Sequence, residues 1–417
     1  MKTLNWKALF LGVGALAISV LPVQAKQIKE SYHPTVNGSP VTLIKDNALT
    51  QALGGRVIDM DVWLGEFVKF DDNIFNTRTD KKNDTIFSTA AGMLVQGQQK
   101  DVWAFRVEGQ LQRNDYAEHR DYNGFEGFIH SQGSVDFSPA LSARAMLNYD
   151  NTYDNIRNVE EIYGMQKLLA GTGISVRPSP FFGMDLDYSY FTQHRFDDAV
   201  KNQEYDEHSI ALRPSYALSP NTVVYLQLNT AFTAPVKEKA MNKATQYGGM
   251  AGIAWTYKDT AKIIAEVGYK HMQFDDNAKM NVKDDTEQYG SVTGHLRGEY
   301  SFTTDWTTGV DVSYAPTYSG VSSSASGSNY LKRVMTSAFL TYSPGEGRFT
   351  ASLKPYYLHN APSENDAWAE YGVNVGVTYV VTEWFNVNAG YTLSATDYEN
   401  EDAYARNAVT LGMALTF

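Results

Sequence analysis

Apolar and polar side chains alternate along most of the chain. In the segment VWAFRVEGQLQRN, the apolar residues Trp103, Phe105 and Val107 alternate with the charged residues Arg106 and Glu108. The same alternation occurs in FEGFIHSQGSVDF, TGHLRGEYSF and AEYGVNVGVTYVV. Because successive side chains of a β-strand point to opposite faces, this pattern predicts strands with one apolar face and one polar face.

The alternating segments follow one another in a regular order. They are separated by connections that are alternately short, such as GQQKD and LSPNT, and long, such as RFDDAVKNQE and SGVSSSASGSN. This asymmetry predicts an antiparallel meander with its short turns at one end and its long loops at the other. About eighteen strands are predicted, an even number that lets the first and last strands pair and close the sheet. Their spans are 56–70, 84–97, 100–116, 123–137, 140–154, 164–177, 181–194, 204–218, 221–233, 244–257, 260–274, 286–302, 306–318, 329–343, 347–359, 367–381, 384–398 and 404–417.

Two architectures produce such strands, a soluble β-sandwich and a transmembrane β-barrel. The predicted strands are longer than the usual globular strand of about five or six residues. Aromatic residues concentrate near strand ends in DLDYSYF, LKPYY and VTEWF, as they do in the interfacial girdles of membrane barrels. Together with the loop asymmetry, these features predict an all-β protein whose residues 56–417 form a transmembrane antiparallel up-and-down β-barrel.

The N-terminus has the pattern of a secretory signal peptide. Two lysines precede the apolar run ALFLGVGALAISVLPV, and the sequence VQA follows closely, ending in a small residue. We therefore expect residues 1–25 to be a signal peptide that is cleaved after Ala25, because the run is short for a membrane anchor. Residues 26–55 show no regular alternation of apolar and polar residues, and we interpret them as a short periplasmic N-terminal segment. The sequence leaves open whether this segment plugs the barrel.

The final segment, NAVTLGMALTF, alternates strictly and ends on the aromatic residue Phe417. We interpret it as the closing strand of the barrel. A terminal aromatic residue on such a strand resembles the signature by which the insertion machinery recognises outer-membrane barrels. The sequence thus predicts a location in the bacterial outer membrane, with outer-membrane lipid and that insertion machinery as partners.

The composition favours a β-rich protein and gives no indication of an enzyme. The chain contains 27 Tyr, 20 Phe and 32 Gly but no cysteine, and aromatic residues are typical of β-strands. Its net charge of −12 argues against a nucleic-acid partner. The 8 histidines show no HxxxH or HExxH spacing, and no GxSxG motif occurs. We therefore predict no enzymatic activity, no metal site and no cofactor.

Two acidic loop segments contain the clustered oxygens that Ca²⁺ prefers. These segments are DDNIFNTRTDKKND and QFDDNAKMNVKDD. Neither has the glycine and the terminal glutamate of an EF-hand loop. We therefore expect solvated loops whose like charges repel, with a Ca²⁺ site as the alternative.

The polar phase of the predicted strands lines a lumen. It mixes both signs of charge with amide and tyrosine side chains, and neither sign dominates. Such a lining suits a neutral or weakly charged carbohydrate, and it equally suits a water-filled pore or a closed interior with paired charges. The candidate lumen-lining residues are Arg106, Glu108, Gln110, Arg144, Arg213, Lys262, Arg297, Glu299, Arg333, Lys354 and Arg406.

Between about residues 56 and 155 the chain resembles a known family. An apolar strand is followed by the FDDNIF stretch (Phe70–Phe75), a short Lys82–Asp84 stretch and the strand FRVEGQLQRNDY. On these motifs the chain is similar to the outer-membrane family designated β-barrel porin 2. Members of that family are often associated with exopolysaccharide export. The resemblance therefore implies a conduit for a secreted polysaccharide that works with periplasmic and inner-membrane export components.

Three functions are consistent with these patterns. The first hypothesis is export of an exopolysaccharide across the outer membrane through the barrel, without a chemical reaction. The second is a general or solute-specific diffusion porin for uptake, which a narrowing loop folded into the barrel would favour. The third is a closed barrel whose long loops bind a partner at the cell surface.

Overall fold

The computed structural model describes most of the chain from residue 58 to its end. The described residues are 35–36, 39–40, 58–77, 79–99, 102–155, 162–196, 204–236, 242–258, 260–275, 288–318, 322–323, 326–327, 329–345, 347–363, 366–399 and 401–417. The expected signal peptide and most of the expected periplasmic segment lie outside these residues. No helix in the described ranges is long and apolar enough to cross a membrane.

The described residues form a closed barrel of eighteen antiparallel strands and two small hairpins. The barrel strands are β3 (Ile58–Asp71), β4 (Asp84–Gln99), β5 (Trp103–Tyr116), β6 (Gly124–Ser138), β7 (Leu141–Asn155), β8 (Ile162–Val176), β9 (Phe182–Arg195), β10 (Tyr205–Ser219), β11 (Thr222–Pro235), β12 (Ala244–Tyr257), β13 (Ala261–Phe274), β14 (Gln288–Ser301), β15 (Trp306–Tyr318), β18 (Tyr330–Tyr342), β19 (Phe349–Pro362), β20 (Trp368–Thr382), β21 (Phe385–Tyr398) and β22 (Glu401–Thr416). The prediction of an eighteen-stranded up-and-down barrel is confirmed, and each strand end lies within three residues of its predicted position.

The remaining elements are short. β1 (Thr35–Val36) pairs with β2 (Ser39–Pro40), and β2 lies against β20, β21 and β22. β16 (Ser322–Ser323) pairs with β17 (Ser326–Gly327) in the connection that follows β15. A single turn of 3-10 helix, Arg120–Tyr122, lies between β5 and β6.

The closing strand pairs with the first strand of the barrel. β22 is in register with β3 from Ala408 opposite Asp71 to Thr416 opposite Trp63. Beyond this ladder, the Phe417 amide donates a hydrogen bond of 2.8 Å to the Val62 carbonyl oxygen. The interpretation of the C-terminal segment as the closing strand is therefore confirmed.

The two faces of the wall differ as the alternation predicted. On β22, Leu411 and Met413 are 59% and 51% exposed, whereas the intervening Thr410 and Ala414 are buried. Large apolar side chains are exposed in the same way on every barrel strand except β18. On β20, the exposed side chains of this kind are tyrosine and valine only. A water-facing exterior of this kind is unfavourable, whereas a lipid-facing one is stable, so the barrel has the architecture of a membrane-spanning protein. The soluble β-sandwich alternative is wrong, since the sheet closes on itself.

Glycines on the inner face let large side chains lie flat against the wall. The Phe67 ring covers Gly412 on the neighbouring strand β22, where an added Cβ would overlap the ring. The Tyr225 ring of β11 covers Gly252 on β12 in the same way. These glycines therefore fix where an aromatic ring crosses from one strand to the next.

The connections at the two ends of the barrel differ in length. Those at one end, which we call the inner end, contain two to six residues, and those at the outer end contain up to thirteen. Short connections are typical of the periplasmic end of outer-membrane barrels. One outer connection is shorter than predicted, because β22 begins at Glu401, three residues before its predicted start, and leaves only residues 399–400 between it and β21.

Candidate functional site

The candidate site is the lumen face of the barrel. Ten of the eleven predicted lumen residues lie in the inward phase of their strands, opposite the exposed apolar side chains. The eleventh, Arg333 on β18, contacts buried Asn360 of β19. Nine inward side chains on β7 to β15 form a connected set that we call the polar belt. Its members are Arg144, Ser175, Asp185, Asp187, Arg213, Tyr225, Glu266, His295 and Asp311.

The belt begins with an ion pair that crosses a strand. The Arg144 guanidinium of β7 donates to Asp187 of β9, with an Nη2–Oδ1 distance of 2.6 Å, and to the Ser175 hydroxyl at 2.7 Å. The pair passes over Gly173 of β8, where a Cβ atom would overlap the Asp187 carboxylate. A glycine at this position therefore allows two charged residues on non-adjacent strands to meet.

Asp185 is the centre of the next part of the belt. Its carboxylate accepts hydrogen bonds from the Ser175 hydroxyl at 2.6 Å, from Arg177 at 2.9 Å and from Arg213 at 3.1 Å. The carboxylate is 2% exposed. Charge-assisted bonds of this kind are strong, and here they hold two guanidinium groups at defined positions on the lumen wall.

The belt continues through a tyrosine to a bridging histidine. The Tyr225 hydroxyl donates to Glu266 Oε1 at 2.8 Å. His295 Nδ1 lies 2.9 Å from Glu266 Oε2, and its Nε2 lies 3.4 Å from Asp311 Oδ2. Since each contact joins different strands, the belt cross-links the wall from β7 to β15.

A second group extends the charged lining on the other side of β7. Arg106 and Glu108 of β5 are paired at 2.8 Å. His130 of β6 lies 3.4 Å from Glu108 and 3.0 Å from Asp150 of β7, and its ring stacks on Phe128 with centroids 4.6 Å apart. From β5 to β7 the lumen therefore carries closely paired opposite charges rather than a surplus of one sign.

The other predicted lumen residues have different surroundings. Arg297 pairs with Glu299 at 2.6 Å, and Lys262 and Lys354 are exposed towards the inner end. Arg333 Nε donates to Asn360 Oδ1 at 3.0 Å near the outer end. Gln110 donates to Gln112 at 3.4 Å. Contact of any of the eleven residues with a transported molecule stays a prediction.

Arg406 has a structural contact that the sequence did not indicate. Its Nε lies 2.9 Å from Asp71 Oδ1, and Lys69 Nζ lies 2.8 Å from Asp71 Oδ2. All three side chains are buried at the seam between β22 and β3. The pairing ties the closing strand to the first strand at the outer end.

The first acidic loop is not a solvated loop. Asp72 accepts hydrogen bonds from the Asn407 backbone amide at 2.6 Å and from its side chain at 2.8 Å. Ile74 and Phe75 are buried against lumen-facing Ile86 and Tyr116. The expectation of repelling, water-exposed carboxylates is wrong for this loop, because its apolar residues fold inward and its acids have protein partners. Most of the second acidic loop, residues 276–287, lies outside the described residues.

The outer parts of β15 and β18 also fold inward. β14 and β15 pair only as far as Gly294 opposite Tyr314, although β14 extends to Gln288 and β15 to Tyr318. β15 remains paired with β18 through Tyr318 opposite Tyr330. β18 in turn stays paired with β19 as far as Leu331 opposite Pro362, so the sheet separates between β14 and β15 at the outer end. We call residues 314–318 with 329–335 the inward hairpin.

Contacts with non-neighbouring strands hold the inward hairpin in the lumen. The Tyr318 hydroxyl donates to the Asn242 carbonyl at 2.7 Å, and its ring meets that of Tyr205 on β10 with centroids 5.5 Å apart. Lys270 Nζ of β13 donates to the Pro316 carbonyl at 3.0 Å. The contact with β10 spans the four strands between it and β15, so the hairpin crosses part of the lumen.

Aromatic packing completes the base of the hairpin. The Tyr330 ring stacks on Tyr289 of β14 with centroids 3.8 Å apart, and the Phe274 ring lies 6.4 Å from it. Met272 and Ala244 close the same cluster. The result is a fixed narrowing of the lumen at the outer end, which no single stretch of the sequence had indicated.

The described residues contain no group of three or more His, Asp and Glu side chains that could hold a metal ion.

No protein-family model matches this chain, and no curated protein matches it. Solved structures with a similar fold include the outer membrane protein OpdK of Pseudomonas aeruginosa, at 10% identity and a TM-score of 0.47, covering 86% of this chain and 99% of that one. OccAB3 of Acinetobacter baumannii is 11% identical over 86% of this chain and 99% of that one, with a TM-score of 0.43. An FrpB iron transporter of Neisseria meningitidis is 10% identical over 88% of this chain and 82% of that one, with a TM-score of 0.45.

These likenesses concern the fold alone, and they give no information about what this chain carries. The closed barrel agrees with the architecture that the resemblance to the β-barrel porin 2 family implies, and the family itself is not shown. The function is therefore inferred from the lumen.

Proposed function

We propose that the protein is an outer-membrane channel for the diffusion of small polar solutes. The observation that carries this proposal is the inward hairpin, which Tyr318 and Lys270 hold across the outer part of the lumen. A segment folded into the lumen in this way favours the diffusion-porin hypothesis. A segment fixed at one depth limits the size of what passes.

The lining of the lumen suits the same function. The polar belt and the Arg106–Glu108 pair present donors and acceptors at fixed positions, so a polar solute exchanges water for wall contacts as it passes. Because most of the charges are paired, the wall holds neither a strongly cationic nor a strongly anionic solute tightly enough to trap it. Conduction requires such moderate binding.

Exopolysaccharide export is the second candidate function. It is favoured by the tyrosines Tyr205, Tyr289, Tyr318 and Tyr330, whose rings cluster at the outer end of the lumen. Aromatic faces flanked by amides such as Asn242 and Asn329 suit the passage of sugar rings. In this function, periplasmic and inner-membrane components supply the polymer and the driving force.

Single-channel recording of the purified full-length protein in a planar bilayer tests the proposal. We expect a steady open conductance that small sugars and short polyethylene glycols reduce by entering the pore, and that polysaccharide from the host leaves unchanged. Block by host polysaccharide but not by an unrelated dextran would support export instead. A barrel that never conducts would overturn both functions and support surface binding by the long loops.

A further inference from the structure

A small pocket in the lumen wall, near the inner end, is lined by two arginines of different elements. Arg177 follows β8 and Arg213 lies on β10, and the pocket between them also contacts Asp185, Ser215 and Tyr225. The Arg213 guanidinium lies over the Tyr225 ring at 5.8 Å from its centroid. The pocket therefore combines guanidinium donors, a hydroxyl and an aromatic wall.

The charges around this pocket do not balance. Three guanidinium groups, those of Arg144, Arg177 and Arg213, surround the two carboxylates of Asp185 and Asp187. Arg144 forms an ion pair with Asp187, and the guanidinium groups of Arg177 and Arg213 both donate to Asp185. One positive charge is therefore in excess, and the Arg213–Asp185 pair within the group is buried.

Arg213 carries the excess. The residue is 5% exposed, and its Nη2 donates to Asp185, whereas its Nη1 is buried with no hydrogen-bond acceptor among the described residues. The nearby carboxylate of Glu266 is already engaged by Tyr225 and His295. A buried donor without an acceptor is costly, and a charged one more so. Arg213 also lines the pocket, so an acceptor bound there would lie beside a guanidinium that has an unused donor.

We propose that this pocket is an anion-binding site on the conduction path, which takes a small monoanion such as a halide or the carboxylate end of a solute. The proposal deepens the proposed diffusion function and rests on it for its role in transport. Arg213 Nη1 donates to the anion, Arg177 adds a second positive charge, and the Ser215 hydroxyl completes the lining. Among passing solutes, anions are then favoured over cations at this depth of the lumen.

Binding is tested without any need for conduction. Crystals of the full-length protein are soaked in bromide, and we expect an anomalous peak about 3.5 Å or less from Arg213 Nη1. Equimolar acetate that removes the peak identifies carboxylate as a competing ligand, whereas acetate without effect restricts the site to halides. Only a water at this position at saturating bromide would overturn the proposal.

Two variants separate charge from donor geometry. Arg213→Lys keeps the positive charge but loses the planar guanidinium, so we expect it to insert normally and to lose the bromide peak. Arg213→Gln removes the charge as well. We expect it to lower the chloride-over-potassium permeability ratio about sevenfold, because one unit charge about 7 Å away in water changes the two ions about threefold each in opposite directions. A bromide peak that persists in the Lys variant would contradict the role of Nη1.

The matched control is Arg113→Gln, which removes the same charge from an exposed pair with Asp115 outside the lumen. Its permeability ratio is expected to equal that of the unchanged protein. Bromide bound in a barrel that does not conduct would refute the diffusion function and leave the site intact. A conducting channel without bromide and with an unchanged ratio in Arg213→Gln would refute the site and leave the diffusion function intact.

Discussion

The inward hairpin should leave the lumen more often when Tyr318 is replaced by alanine. The substitution removes the hydroxyl that donates to the Asn242 carbonyl at 2.7 Å and the ring that meets Tyr205 at 5.5 Å. It leaves the Lys270–Pro316 hydrogen bond and the stacking of Tyr330 in place. The hairpin thus keeps its base and loses its furthest contacts, those with Asn242 and with Tyr205 on β10.

The size of the effect follows from the two lost contacts. A hydrogen bond between a hydroxyl and a backbone carbonyl contributes about 1 kcal/mol. An edge-on aromatic pair contributes about 1 kcal/mol beyond its buried area. Their sum of about 2 kcal/mol corresponds to a shift of about thirtyfold in the equilibrium between the inward and released hairpin. Tyr318→Phe keeps the ring and loses only the hydroxyl, so we expect a shift of about fivefold.

Single-channel recording with polyethylene glycols of graded size measures this shift. We expect Tyr318→Ala to spend more time in a state of higher conductance and to admit larger polymers, with Tyr318→Phe between it and the unchanged protein. Tyr247→Ala is the control, because that tyrosine is 49% exposed on the outer surface of β12. Heat-modifiable migration on gels confirms that each variant has folded.

The same conductance and the same polymer cut-off in Tyr318→Ala as in the control would refute the reasoning. In that case the hairpin is not the narrowest point of the lumen, and the observation that carries the diffusion function is lost. A conductance that falls in Tyr318→Ala would equally contradict it, since releasing the hairpin can only widen the outer lumen.

Three further predictions concern stability and assembly. Gly412→Ala pushes an added Cβ into an aromatic ring of β3 and should lower the free energy of unfolding by about 1–3 kcal/mol. Gly298→Ala, whose nearest neighbour would lie at 3.8 Å, should leave urea unfolding in detergent nearly unchanged. Arg406→Met should cost about 3–5 kcal/mol by leaving buried Asp71 without its main partner, and adding Asp71→Asn should recover part of the loss in the same assay. Removal of Phe417 should reduce the yield of heat-modifiable barrel in outer-membrane fractions, and an unchanged yield would show that the insertion machinery does not need it.

Strand number, strand ends and the direction of each face followed from the sequence because they depend on local alternation. Val409, Leu411 and Met413 share a phase whatever the rest of the chain does, and lipid exposure then selects the closed barrel. For the same reason, phase counting placed Arg106, Arg144 and the other candidates on the lumen face. The periodic signal is local, and it is repeated in each strand.

The contacts of those side chains did not follow from the sequence. The alternation of side chains along the strand shows that Arg406 points inward. It does not show that Asp71, far away in the chain, lies beside Arg406 at the seam between β22 and β3. Similarly, DDNIF reads as an acidic loop, and only the packing of Ile74 and Phe75 on Ile86 shows that it folds into the lumen. The composition of a loop does not determine whether it folds into the lumen or extends into solvent.

Local pattern therefore determined that this protein is a barrel with an apolar exterior and a polar, mixed-charge interior. The tertiary structure alone decided where the lumen narrows and which charges are paired. The inward hairpin depends on Tyr318 reaching Asn242 and Tyr205 across intervening strands, and the excess charge of Arg213 depends on how three arginines share two aspartates. Both arise from residues that are distant in sequence, and closure of the barrel is what brings them together.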